Sequence, residues 1–243
     1  MSWRKLLWVV PGLCLGLFAF MPLSWLGPHY VPDNLTTIDT QYSGTIWAGG
    51  VTNLRDFDAV DFRLKPFSVL KGGYPLTVTL RAPGLKASAL ASSKKAKDVS
   101  FQMNIANLPL PDPRLKSLAG QMTARIDDMR WKKEGLCDVF QGTVRTDILT
   151  RNRALFQWEG PVLAGPVSCH DEGDYVFDLS GQDEIQIITA RITVSPSGQY
   201  LSDIKVETGD QDATLVLPLF GFESLGRENN RNVFRLKEQG NWR

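Results

Sequence analysis

The sequence predicts a mainly β protein: an N-terminal single transmembrane helix followed by an exported antiparallel β-sheet domain in two sections. Three observations carry that prediction. One long stretch near the N-terminus is uncharged, the rest of the chain alternates apolar and polar residues with period two, and no window outside the first stretch holds a helical stripe of several turns. The sheet closes on its own core or stays open as a curved groove, and the alternation fits both.

Taken in order, residues 1–5 form a short cytoplasmic N-terminus bearing Arg4 and Lys5. Residues 6–26, LLWVVPGLCLGLFAFMPLSWL, contain no ionisable group beyond the Cys14 thiol. At ~1.5 Å of rise per residue they span about 30 Å, the thickness of a bilayer core. Arg4 and Lys5 keep the N-terminus inside and send the remainder across. Trp3, Trp8, Trp25 and Tyr30 mark the interfaces. A cleaved signal peptide needs a shorter apolar core and a small-x-small site, whereas this segment ends SWLGPHY, so it reads as an uncleaved anchor. Leu13 stands before Cys14 where a lipoprotein signal requires a small residue, and Pro11 and Pro22 kink the helix.

Residues 27–40 are a Pro- and Asx-rich spacer. Residues 41–106 make the first β section: Val60, Phe62 and Leu64 alternate with polar neighbours, as do Leu76, Val78 and Leu80, then Val99, Phe101, Met103 and Ile105. Ser88–Lys97 has the best helical composition of the exported part but reads as a solvated loop with a basic cluster. Residues 107–119, with Pro109, Pro111 and Pro113, form a stiff joint.

The second β section, 120–243, resumes with Met122, Ala124 and Ile126. Its parity slips at Asp127-Asp128, so that Met129 and Trp131 continue on the other side of a bulge. Phe140, Val144 and Ile148 follow, then Ala154, Phe156 and Trp158, then Tyr175, Phe177 and Leu179, and Ile188, Ala190, Ile192 and Val194. A turn at Ser195–Gly198 leads to Tyr200, Ile204 and Val206. Thr214–Phe220 is apolar on both parities and predicts a strand covered on both faces, its pairing limited by Pro218.

Cys137 and Cys169 are the two cysteines of the exported part, and an even pair on the oxidising side predicts a disulfide. A loop of about 30 residues gives roughly 3 to 4 kcal/mol in the chain-entropy model. The competing reading, a metal held by Cys137, Cys169 and His170, lacks a fourth ligand, and neighbouring residues on a strand point to opposite faces.

Chemistry is sparse. Lys plus Arg exceed Asp plus Glu by one, 27 against 26, so no electrostatic footprint for nucleic acid exists. The chain has two histidines, His29 and His170, and a nucleophile needs an imidazole beside it. The acid pairs Asp127-Asp128, Asp171-Glu172 and Asp183-Glu184 face opposite sides of a strand, so they read as turn and solvent charges rather than the paired carboxylates of glycoside hydrolysis. No phosphate loop, dinucleotide fingerprint or calcium loop is present, and neither a catalytic residue nor a cofactor or metal is expected. Trp47, Trp131 and Trp158 are large enough to anchor a β core; around Trp47 the stretch SGTIWAGG admits a close backbone approach over the ring.

Gly44-Thr45-Ile46-Trp47-Ala48-Gly49 heads the exported part behind a basic N-terminus and one span. Leu118-Ala119-Gly120, the paired cysteines, Leu217-Pro218-Leu219-Phe220-Gly221, Leu225-Gly226-Arg227 and Phe234-Arg235-Leu236 follow. In that order these features resemble protein N of the bacterial type II secretion system over nearly the whole chain. The resemblance implies a single-pass inner-membrane protein with a periplasmic domain, an accessory acting in assembly or protein transport, without a catalytic motif. Its implied partners are inner-membrane and periplasmic secretion-system proteins and membrane lipid. The sequence also looks distantly like AsmA-type proteins, which implies the alternative of a lipid-binding or lipid-transfer groove. Exposed strand edges would serve the first role by β-augmentation or side-by-side packing.

Overall fold

The computed structural model describes residues 20–31, 35–55, 57–71, 73–107 and 118–241. The expected N-terminus with Arg4 and Lys5, residues 6–19 of the expected span and residues 108–117 of the expected joint lie outside the described residues. Among the described residues no helix is long and apolar enough to cross a membrane. The chain is divided into two compact units, Met1–Ser92 and Ser93–Arg243.

In the first unit five strands run in sequence order, each antiparallel to the next: β1 Gln41–Gly44, β2 Ala48–Thr52, β3 Ala59–Leu64, β4 Leu76–Ala82 and β5 Leu85–Ser92. Period-two alternation puts one set of side chains on one face. Val60, Phe62 and Leu64 oppose Leu80, Val78 and Leu76, which in turn oppose Ala87, Ala89 and Ala91. The other face carries Asp61, Arg63, Thr77, Thr79 and Lys86, with an Asp61–Arg81 ion pair of 2.6 Å.

The stretch expected to be a loop at Ser88–Lys97 is the end of β5, a two-residue turn at Ser93-Lys94 and the start of a further strand. Alanine and serine give no alternation in hydropathy, yet small residues opposite Leu76, Val78 and Leu80 are what the face accommodates. Helix Leu23–Tyr30 lies on β1 and β2: Leu23 is buried, its Cδ2 is at 2.9 Å from where a Gly49 Cβ would stand, and Gly27 has no room for a Cβ against the Tyr42 ring. Pro22 bridges Thr45, and the Ile46 N–H donates to the Met21 carbonyl at 3.3 Å. Met21 to Leu23, near the end of the expected span, are therefore tied to the sheet.

The second unit holds β6 Lys95–Asn104, β7 Gln121–Trp131, β8 Cys137–Thr146, β9 Leu163–Cys169, β10 Tyr175–Gln182, β11 Gln186–Val194, β12 Gln199–Thr208, β13 Glu223–Glu228 and β14 Arg231–Asn241. The order in space is that of the sequence except at the end, where β14 joins β12 and β13 lies outermost. All pairs are antiparallel. The register of β7 on β8 shifts between Ile126 and Asp128, the bulge that the parity slip predicts. Val144, Val167, Leu179, Ile188, Val206 and Phe234 line one buried face. On the opposite face Asp178, Arg191, Asp203 and Lys237 stand side by side across β10, β11, β12 and β14, an alternating ladder of charge that keeps this surface in water.

The buried face is covered by two helical connections where the sequence predicts strands. Ala154 and Phe156 lie in the short helix Arg153–Phe156, which follows the helix Ile148–Arg151, with Trp158 just beyond it, and Thr214–Phe220 falls in the helix Gln211–Val216 and the 3-10 turn Leu217–Phe220. Asp210 caps the helix by accepting from the Asp212 N–H at 2.8 Å, and Pro218 stands in the first turn of the 3-10 segment, where its missing N–H costs nothing. An apolar run without polar alternation fits a strand or a helix alike, and the cap decides for the helix.

Gly165 in β9 passes so close to the Asp178 carbonyl of β10 that a Cβ would overlap it. Gly165→Ala is expected to push the two strands apart and cost about 1 to 3 kcal/mol, read as an earlier midpoint in urea unfolding at unchanged slope.

Candidate functional site

The surface best built for contact lies where the two helical connections meet the outermost strand of the second unit. Asp147 fixes its entry. The carboxylate accepts from the Gln121 N–H at 2.6 Å and from Arg151 Nε at 3.0 Å. Partial burial pushes this carboxyl up, but the Gln121 N–H and the Arg151 guanidinium outweigh it and hold it below its usual range. Asn152, buried, donates to the Ala119 and Ile148 carbonyls at 2.6 Å and accepts from the Ala119 N–H at 2.8 Å.

A second buried amide locks the connection to the sheet. Gln186 is 1% exposed; its Oε1 accepts from the Trp158 indole at 2.8 Å, and its Nε2 donates to the Glu159 carbonyl and to Asp183 Oδ2, both at 2.7 Å. Every polar atom of the Gln186 side chain has a partner, so the network holds its place without an orphaned group.

The helix Gln211–Val216 and its 3-10 continuation present two apolar faces. Ala213 and Leu217, four residues apart, point into the core. Leu215 and Leu219, also four apart, point outward and are 72% and 80% exposed. Phe220 meets Phe156 edge to face at 5.3 Å, and Leu225 of β13 is exposed beyond them. Asn232 Nδ2 donates to Thr214 Oγ1 at 3.1 Å, which pins this surface to β14. Leu215, Leu219 and Leu225 are each more than half exposed among the described residues of the unit, and Phe220, packed on one side against Phe156, is 44% exposed.

β13 borders this surface as the outermost strand, and its six residues are all exposed. A register shift between Ser224 and Gly226 makes a bulge at Leu225, and Glu223, Arg227 and Glu228 charge the rest. Bulges and charges blunt an edge against strand addition. The apolar surface beside it is open to side-chain packing.

The residues singled out in the sequence are scattered. Trp47 is half-buried in the turn between β1 and β2, where its N–H donates to Thr45 Oγ1 at 3.3 Å and its carbonyl accepts from Leu64 at 2.6 Å. Trp131 is half-buried at the end of β7, paired with Cys137, and Trp158 is buried in the core. Cys137 and Cys169 form a disulfide with Cα atoms 5.6 Å apart. Both sulfurs are thereby spent, and the alternative of a metal on Cys137, Cys169 and His170 is overturned.

His170 instead lies exposed in the turn after Cys169, where its possible ligand atom comes within 4.8 Å of those of Glu172 and Asp174. Of the acid pairs, Asp127 sits 4.0 Å from Arg125, Asp128 bonds Arg130 at 2.9 Å, and Asp183 belongs to the Gln186 network. Asp127 and Asp128 thus meet different arginines. Sequence reasoning missed Asn152 and Gln186, since a buried amide in a polar connection carries no signal of burial, and it missed the outward face of Leu215 and Leu219.

A family model described as type II secretion system protein N matches residues 40–231. No curated protein and no solved structure matches the chain.

Leu217 and Leu219 provide a paired test of this surface. Leu217→Ala is expected to cost about 2 to 4 kcal/mol of unfolding free energy, and Leu219→Ala to stay within about 0.5 kcal/mol, measured on the same purified protein.

Proposed function

The chain belongs to the type II secretion system protein N family, and from that membership we propose that it acts as an accessory of the secretion machine, in assembly or transport, by docking its β domain on other components. It does so from the inner membrane, anchored by the uncharged run that starts at Leu6, with the bulk of the chain in the periplasm, and without a catalytic residue. The observation that carries this reading is the solvent-facing apolar surface of Leu215, Leu219, Phe220 and Leu225 beside a blunted edge. The charge ladder on the open face of the sheet leaves this rim as the apolar place to dock, and apolar side chains packed against a partner gain roughly 25 cal/mol per Å² removed from water. An anchor adds effective concentration that a free domain lacks.

One observation favours a second reading, a lipid-binding groove. Val60, Phe62, Leu64, Leu76, Val78 and Leu80 share a face of the first unit and are all only half-buried. A face of that kind accepts acyl chains. Phospholipid retained on the purified protein after detergent exchange, with secretion untouched by changes at Leu219, would favour it over docking.

The docking reading is tested by secretion of an exoprotein from cells making matched amounts of each variant. Leu215→Ser with Leu219→Ser is expected to lower secretion severalfold while the protein stays folded and resists alkaline extraction; His170→Ala is expected to leave secretion unchanged. Unimpaired secretion from the double variant would refute the docking surface, and loss of secretion in His170→Ala would point to chemistry at the Cys169–Tyr175 turn instead.

A further inference from the structure

One end of the first unit carries bare aromatic side chains next to the uncharged run of the sequence. The strand registers define that end. Gly44 opposes Gly49, Ala48 opposes Arg63 and Leu64 opposes Leu76, so the β1–β2 turn and the β3–β4 connection share it. The Leu64 N–H donates to the Trp47 carbonyl between them. The Pro22–Thr45 bridge and the bond from Ile46 to the Met21 carbonyl bring the chain from Phe20 to the same place. Phe20 is 81%, Trp25 72% and Phe67 79% exposed there.

Charge is divided between the two ends. Arg63 and Lys65 are exposed at the aromatic end, and the sequence from Phe62 to Lys97 contains no carboxylate. Asp39 and Asp58 belong to the connections at the other end, where Thr37 Oγ1 donates to the Asn53 carbonyl.

Length supplies an independent argument. Because Met21 to Leu23 are tied to the sheet, a membrane helix can use residues 6–20 only, which at ~1.5 Å per residue is about 22 Å. The hydrocarbon core is about 30 Å thick, so such a span is short by roughly 8 Å. A short span is accommodated when its flanking residues settle into the interface, where aromatic rings are favoured and cations meet anionic lipid.

We propose that the first unit rests on an anionic lipid surface with this end down, Phe20, Trp25 and Phe67 at the boundary of headgroups and acyl chains, and Arg63 and Lys65 against lipid phosphates. The inference rests on the membrane-anchored reading above. It adds a second, sequence-distant contact through the β3–β4 connection and thereby sets which end of the sheet faces the membrane.

The test uses the full chain in vesicles of phosphatidylethanolamine and phosphatidylglycerol. A nitroxide is placed at Phe67→Cys, or for comparison at Ile38→Cys at the far end, each in a Cys14→Ala background. Collision with oxygen is expected to dominate over collision with a water-soluble nickel chelate at position 67, and the reverse at position 38. Equal access of the chelate to both, in protein that alkali does not release, would overturn the inference alone. Release by alkali would overturn the anchored reading and this inference with it. A second readout leaves Phe67 in place: amide exchange across residues 66–71 is expected to be slower in the anionic vesicles than in phosphatidylcholine, and Lys65→Glu is expected to remove the difference. Equal exchange of the unaltered protein in both lipids would refute the pairing with anionic headgroups.

Discussion

Antiparallel pairing within each unit, between neighbours in sequence except where β14 joins β12, is the constraint on which the rest of the molecule depends. A strand so paired has its parity fixed by the register, and every second side chain goes to the same face. In the second unit that places Val144, Val167, Leu179, Ile188, Val206 and Phe234 on one surface, which must then be taken out of water. Trp158, Ala213 and Leu217, from two helical connections, cover it. The opposite surface, with Asp178, Arg191, Asp203 and Lys237 in register, stays hydrated. Covering one face with an amphipathic helix would leave polar residues outside, yet the covering helix here turns Leu215 and Leu219 to solvent. That departure from the ordinary pattern singles out the candidate docking surface.

Two buried amides hold the covering connections in place. Gln186 and Asn152 each satisfy their donors and acceptors against backbone carbonyls, a backbone N–H or a side chain, including the Trp158 indole. In a low-dielectric interior such bonds fix position, because losing one partner strands the other. The Cys137–Cys169 disulfide acts on the same unit from another side, joining the start of β8 to the end of β9. The candidate docking surface is thus carried by a well-determined scaffold.

Strands with complete alternation were legible in the sequence: β3, β4, β11 and β12 fall where Val60, Leu76, Ile188 and Tyr200 begin their patterns, and β6 from Val99 onward, although it starts at Lys95. The bulge at Asp127 and the disulfide were legible too, the first from a slip of parity and the second from compartment and number. β5 was hidden, because Ala87, Ala89 and Ala91 are neutral to any hydropathy pattern and are selected by the larger side chains opposite them. Thr214–Phe220 was misread because an apolar run fits both periods, and the Asp210 cap and Pro218 carried the deciding information. The candidate docking surface was half legible. Leu217–Gly221 and Leu225–Arg227 stood out in the resemblance to protein N, but which of their side chains face solvent depends on packing that no local pattern records.

Site-specific photo-cross-linking in the native envelope tests the central claim most directly, with a benzophenone amino acid in place of Leu219 and, as a control, in place of Asp178 on the charged face. The account predicts an adduct between position 219 and an identified component of the secretion machine, absent from position 178. Adducts with no secretion component at 219, from a folded protein that remains in the membrane, would contradict it.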